Sequence, residues 1–400
     1  MAQTSAALDR ITPSPTLAMT DRVAAMKREG IDVIGLSAGE PDFDTPDFVK
    51  NAAIAAIHAN KTRYTEIDGI PELKAAIAGK FLRDNDLTYA ANQISVNSGG
   101  KHTLFNAFVA TVGPGDEVVI PAPYWVSYPD IVNFAGGTPV IISAGANQLY
   151  KILPEQLDAA ITPRTKWVLL NSPSNPTGAA YSASELKALA EVIRRHPHVM
   201  VMTDDMYEHV WYAPTPFATI AQVAPDLYDR ILTVNGCSKA YAMTGWRIGY
   251  AGGPAWLIKA MAKLQSQSTS NPSSISQAAA VAALNGDQSF LMERNAAFLV
   301  RRDLVVRMLN EAPGIHCPTP EGAFYVYPDV TGCIGKKTSQ GKIIATDADL
   351  IDYFLDGVRV AAVPGNAFGL SPAFRVSYAT SDAVLVDACT RIQQACADLS

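Results

Sequence analysis

Residues 231–253 read ILTVNGCSKAYAMTGWRIGYAGG. Two runs of β type, ILTVN and RIGYAGG, flank a polar turn in which Lys239 follows Ser238 and Arg247 comes eight residues later. Most lysines are solvated and only keep a chain soluble, so Lys239 needs support from the rest of the sequence. That support begins with the frame around it. From about residue 50 to 285, helix-like and strand-like segments alternate. Helices are expected at 72–83, 101–112, 184–196 and 255–264, and strands at DEVVI, TPVIIS, TKWVLLN, VMVMTD, ILTVN and RIGYAGG. Such alternation specifies an α/β unit with a mainly parallel sheet covered by helices.

Beyond a long amphipathic segment at 293–312 the texture changes to AFYVYPDV, a helix at DADLIDYFLDGV, strands at VRVAAVP and FRVSYA, and a closing helix. This end reads as a smaller α+β domain. The stretch IDVIGLSAGEPDFDTP reads as strand then loop and is expected to pack with it. The expected division is therefore 1–48 as an N-terminal segment joined to the small domain, 49–290 as the large domain, and 291–400 as the small domain.

Composition narrows the function. A net charge of −6, from 32 basic and 38 acidic residues, offers no basic stripe for nucleic acid or an anionic membrane. The first twenty residues lack the pattern of a secretion signal, and no apolar stretch approaches the ~20 residues that cross a bilayer. A cytoplasmic protein acting on small molecules is expected. Five scattered cysteines without CxxC spacing fit reduced thiols, and the six histidines form no metal-ligand pattern.

In open α/β sheets ligands sit beyond the carboxyl ends of the strands, so the polar residues following each run matter most. After TKWVLLN comes SPSNPTG, with Asn175 in an Asn-Pro turn. After VMVMT comes Asp204, a carboxylate that needs a cation or donors if buried, with the phenol of Tyr207 three residues on. Ser238 and Arg247 together suit a phosphate. Gly100 and Lys101, in SVNSGGKHTLF, open a helix whose first N–H groups form an anion site. Trp125, in PYWVSYP, can lie against an aromatic ring. Each has a plain structural reading by itself. Jointly they describe one ligand with a phosphate, an aromatic ring, a ring oxygen, a protonated ring nitrogen and an aldehyde for Lys239: pyridoxal 5′-phosphate.

SAGEPDFDTP, NSGGKHTLF, PAPYWVSYP, NSPSNPTGAAY, TDDMYEH, NGCSKAYAMTGWRIGY and FRVSYAT, in this order, resemble the class I/II aminotransferases of pyridoxal-phosphate fold type I, above all bacterial aspartate aminotransferases. The resemblance implies a large domain with a mainly parallel seven-stranded sheet flanked by helices, a smaller α+β domain, and a homodimer with shared active sites. Matching motifs make Lys239 the Schiff-base lysine, Asp204 the partner of the ring nitrogen, and Asn175 and Tyr207 donors to the ring oxygen. Trp125 would stack on the ring, and Gly100, Lys101, Ser238 and Arg247 would surround the phosphate. Tyr64 would reach the phosphate of the neighbouring subunit's cofactor. Arg375 would hold the substrate α-carboxylate, assisted by the backbone of Gly39. Close relatives that take dicarboxylates often carry lysine where Thr12 stands, which leaves Lys101, Ser14 and Thr16 for the distal carboxylate.

The expected activity is ping-pong transamination from L-aspartate to 2-oxoglutarate, with amino acids and 2-oxo acids as partners. An aromatic or prephenate aminotransferase is the alternative, a C–S β-lyase stands behind it, and a non-catalytic vitamin B6 sensor is disfavoured by the lack of a DNA-binding region.

Overall fold

A computed structural model describes residues 4–400. Its central sheet has seven strands: β1 (Ile94–Asn97), β2 (Glu117–Ala122), β3 (Thr138–Ser143), β4 (Thr165–Asn171), β5 (Met200–Asp204), β6 (Ile231–Gly236) and β7 (Gly249–Gly252). They lie in the order β1-β7-β6-β5-β4-β2-β3. All neighbours are parallel except β7, which runs antiparallel to both β1 and β6.

The inner strands are largely apolar because both of their faces are covered, whereas the edge strand β3 is partly exposed. Side chains alternate across a strand, so Val201 and Ile231 join one core while Met202 and Leu232 join the other. The first core is packed by helices Pro71–Asn85, Ala183–Arg195 and Ser274–Asn285, the second by Gly100–Thr111 and Ala255–Gln265. Ser182 begins one of these helices by accepting from the Glu185 N–H while Glu185 reaches back to the Ser182 N–H, a reciprocal cap.

The small domain holds helices Phe290–Asn310, Asp347–Val358 and Asp382–Ala397 around an antiparallel sheet of Tyr325–Val326, Val363–Pro364 and Phe374–Ser377. The run VRVAAVP, expected as one strand, divides. Val360–Ala361 pairs in parallel with Ile34–Gly35, whereas Val363–Pro364 pairs with Phe374 and Arg375, so the chain changes partners at Ala362. The N-terminal segment is thereby threaded into the small domain. Among the described residues no helix is long and apolar enough to cross a membrane.

Candidate active site

Three strands deliver their carboxyl ends to one cavity of about 470 Å³: β4 with Asn171, β5 with Asp204, and β6 through the turn to Ser238 and Lys239. The small domain and N-terminal segment close the opposite side with Arg375, Tyr325, Ser37 and Gly39. Among the described residues, the lining carries four cationic side chains against two acidic ones. Such a balance favours a ligand with more than one negative group.

Lys239 projects into this space from the turn after β6. Its Nζ donates to the Gly39 carbonyl and stands 5.8 Å from the Tyr207 ring centroid and 6.0 Å from that of Phe324. Burial, with Arg375 and Arg247 nearby, pulls its pKa down to about 8, against the opposing pull of Glu40 and Asp204. An amine so placed is neutral far more often at pH 7 than an ordinary lysine, which makes it both nucleophile and base.

Asp204 is only 6% exposed. Burial raises its pKa, while the Tyr128 hydroxyl, donating to Oδ2 at 2.7 Å, the Met206 N–H, donating to Oδ1 at 3.3 Å, and Lys239 all favour the anion. A cationic ring nitrogen facing the carboxylate would complete its partners. Asn171 ties the arrangement together: its amide donates to the Asp204 carbonyl and its Oδ1 accepts from the Asn175 N–H.

An anion cradle lies at one end of the cavity. Helix Gly100–Thr111 points its free N–H groups inward, beside Ser238 and Arg247. Gly99 sits at φ 93°, a conformation that favours glycine, and a Cβ there would push the Arg247 guanidinium out of the cradle. Arg247 itself holds a left-handed backbone at φ 57°, at a cost of about 1–2 kcal/mol, and anchors Nη1 on the Thr244 carbonyl at 2.7 Å. Lys101 extends over Trp125, with Nζ 4.9 Å from the ring centroid, and burial together with Arg247 lowers its pKa.

Arg375 marks the other end. It is 2% exposed, with Nη1 donating to Asn175 Oδ1 at 2.9 Å and Nη2 to the Ser37 carbonyl. The rings of Tyr325 and Phe368 lie 4.7 and 5.1 Å from the guanidinium carbon. Its partners are neutral oxygens and aromatic faces, and its Nε has no hydrogen-bond partner. A buried guanidinium without a carboxylate of its own is built to receive one from a ligand.

The structure thus brings together Gly39, Gly100, Lys101, Trp125, Asn175, Asp204, Tyr207, Ser238, Lys239, Arg247, Arg375 and Thr16. It leaves Tyr64 outside: this side chain is 90% exposed and does not line the chain's own cavity. Thr12 is directed to Asp130, 3.4 Å from its Oδ2, while Ser14 and Thr16 line the mouth and bond each other at 2.9 Å. Sequence reasoning missed Tyr128, Asn171, Tyr325 and Ser37. Asn171 was the most readable, as a polar residue ending a predicted strand, whereas Tyr128 and Tyr325 sit in quoted stretches without any mark of their partners.

Pyridoxal 5′-phosphate fits this donor set. The cradle suits its phosphate, the buried carboxylate its ring nitrogen, the Asn175 amide and Tyr207 phenol its ring oxygen, and the depressed amine its aldehyde.

The sequence profile of the family described as "Aminotransferase class I and II" matches residues 31–392. The chain is 60% identical, over the full length of both proteins, to the "Aspartate/prephenate aminotransferase" of Cereibacter sphaeroides. It is 58% identical to the "Aspartate aminotransferase" of Rhizobium meliloti, across 100% of this chain and 97% of that protein. Among solved structures, the aspartate aminotransferase of Rhizobium meliloti superimposes with a TM-score of 0.97 at 58% identity, each chain covered in full. That of Thermus thermophilus with maleate gives 0.92 at 41% identity, covering 99% of this chain and 100% of the other. The chain belongs to the class I and II aminotransferases.

Proposed function

We propose that this protein is a pyridoxal-phosphate-dependent aminotransferase that takes L-aspartate as donor and 2-oxoglutarate as acceptor. The observation that carries the proposal is one cavity holding a depressed lysine, a buried carboxylate and a buried arginine with no acidic partner. When bound, the cofactor supplies an aldehyde that condenses with amines and a ring that takes up electrons from the substrate α-carbon. The chain's own residues do the rest. Ser238, Arg247 and the amides at Gly100 and Lys101 bind the phosphate, and Trp125 orients the ring. Asp204 holds a proton at the ring nitrogen, assisted by Tyr128. Asn175 and Tyr207 donate to the ring oxygen. Arg375 binds the α-carboxylate and so sets the α-hydrogen toward Lys239, whose Nζ removes and returns that proton.

Lys101 is the cation at the mouth that suits a distal carboxylate, with the Ser14 and Thr16 hydroxyls beside it. The Thermus neighbour's maleate, a dicarboxylate, supports this reading. A second reading, prephenate as amino acceptor, is favoured by the name of the relative at 60% identity. Both chemistries share the carboxylate on Arg375. Initial rates with aspartate, glutamate, phenylalanine and tyrosine against 2-oxoglutarate, oxaloacetate and prephenate test the assignment. The highest kcat/KM is expected for aspartate with 2-oxoglutarate, and preference for an aromatic donor would overturn it.

We further place the domain boundaries near residues 48 and 290. Phe48 packs on the large-domain core and Phe43 on the small-domain core, and within helix Phe290–Asn310 the contacts pass from one core at Phe290 to the other at Phe298. A homodimer in which Tyr64 reaches the neighbour's phosphate agrees with the exposure of this phenol. A cytoplasmic location completes the proposal.

A further inference from the structure

Tyr207 is buried, and the hydroxyl 2.9 Å from its own belongs to Tyr325, which is fully buried. Tyr325 lies on the small-domain sheet opposite Ser377, two residues along the strand from Arg375. Its ring faces the Arg375 guanidinium at 4.7 Å. Two phenols in contact share the bond in only one sense at a time: one donates, and the proton of the other must point elsewhere. Were Tyr207 to donate, the Tyr325 proton would be left near Gly39, whose missing Cβ would sit 3.0 Å from the Tyr325 oxygen, and among the described residues that oxygen has no hydrogen-bond partner besides Tyr207. Were Tyr325 to donate, the Tyr207 proton would be free for the cavity. An anionic ring oxygen there makes the second sense the stronger, since bonds to charged acceptors are about twice as strong as neutral ones.

We propose that Tyr325 is a positioning residue: it donates its hydroxyl to Tyr207 and thereby aims and strengthens the Tyr207 O–H toward the ring oxygen of the cofactor. The proposal rests on the assignment of Tyr207 to that oxygen. Burial keeps both phenols protonated, so the chain of donors persists across the neutral range. The Arg375 charge over the Tyr325 ring draws electron density from the phenol and makes it a better donor. Tyr325 thus links the α-carboxylate site to the ring-oxygen site through two hydroxyls.

The test is spectroscopic. In the loaded protein a proton on the nitrogen that joins Lys239 to the cofactor would be held partly by the anionic ring oxygen, and a donor on that oxygen would draw charge away and loosen the proton. Weakening the donor therefore raises the pH midpoint of the bound cofactor's colour change. Hydrogen-bond chains strengthen each member by about 10–30%, which at a charged acceptor corresponds to roughly threefold in proton affinity, or about 0.5 pH unit. Absorbance titrations of the loaded wild type, Tyr325→Phe, Tyr207→Phe and the double variant separate the possibilities. Tyr325→Phe keeps the ring and its contact with Arg375, and it should raise the midpoint by that amount. Tyr207→Phe should raise it further, and adding Tyr325→Phe to it should change nothing more. An unmoved midpoint in Tyr325→Phe, an equal displacement in both backgrounds, or loss of the colour from Tyr325→Phe overturns the proposal. A midpoint unmoved by Tyr207→Phe refutes the assignment of Tyr207 itself, and the role of Tyr325 falls with it.

Discussion

Replacing Asp204 by Asn removes one charge and almost no volume. The carboxylate is 6% exposed and is held by the Tyr128 hydroxyl at 2.7 Å, which an amide oxygen can still accept. What disappears is the attraction for a proton on the ring nitrogen. Two unit charges ~4 Å apart at an effective dielectric constant of ~20 attract by about 4 kcal/mol, within the ~3–5 kcal/mol typical of breaking a buried pair. Because that proton is needed most when the α-carbon carries excess electrons, the loss falls on the proton-transfer step, slowing it roughly a thousandfold. Ser238 and Arg247 are untouched, so the cofactor should remain bound. Stopped-flow absorbance in a single turnover with L-aspartate, and with its α-deuterated form, reads the step directly. A rate within threefold of wild type, in a variant that retains its cofactor, would refute the electrostatic role of Asp204.

Other expectations concern binding, stability and pH. Under the proposed assignment, Arg375→Ala would remove two charge-assisted contacts to the α-carboxylate, so KM should rise about 100-fold or more for acidic and aromatic donors alike; steady-state kinetics with both classes would expose a wrong assignment if only one suffered. Lys80 is 1% exposed and forms an ion pair with Glu208, which also accepts from Asn85 and Asn235 at 2.8 Å. Lys80→Met strands the Glu208 charge and should cost about 3–5 kcal/mol in urea denaturation of the apoprotein, whereas pairing it with Glu208→Leu should restore much of that. Lys239, with a folded pKa of about 8 against ~10.4 when unfolded, is protonated more readily in the unfolded chain. Lys239→Met should therefore stabilise the apoprotein by about 3 kcal/mol below pH 8, an advantage that shrinks as pH rises toward ~10.4; a pH-independent difference would contradict the depressed pKa.

The strands that could be read most closely were continuous β-branched runs bounded by turn residues. TPVIIS and TKWVLLN coincide with Thr138–Ser143, at the edge of the sheet, and Thr165–Asn171, inside it, because turn residues bound each run and nothing interrupts its extension. RIGYAGG begins two residues late, at Gly249, since Arg247 adopts a left-handed conformation that no strand accommodates. VRVAAVP divides for a tertiary reason: its partners, Ile34–Gly35 and Phe374–Arg375, lie far apart in the chain. The site followed the same logic. Asp204, at a strand end, and Asn175 and Lys239, in the turns that follow strands, are legible because α/β sheets place ligands there. Tyr128 and Tyr325 are not, because a tyrosine becomes a donor to Asp204 or Tyr207 only through an approach of segments that local pattern does not encode.

Lys239 is the side chain proposed to bond covalently to the cofactor. Borohydride reduction of the loaded protein, proteolysis and mass spectrometry of the peptides should place a pyridoxyl group on Lys239, with the yellow colour lost in the same step. A label on any other lysine, or unlabelled Lys239 in protein that was coloured before reduction, would contradict the account.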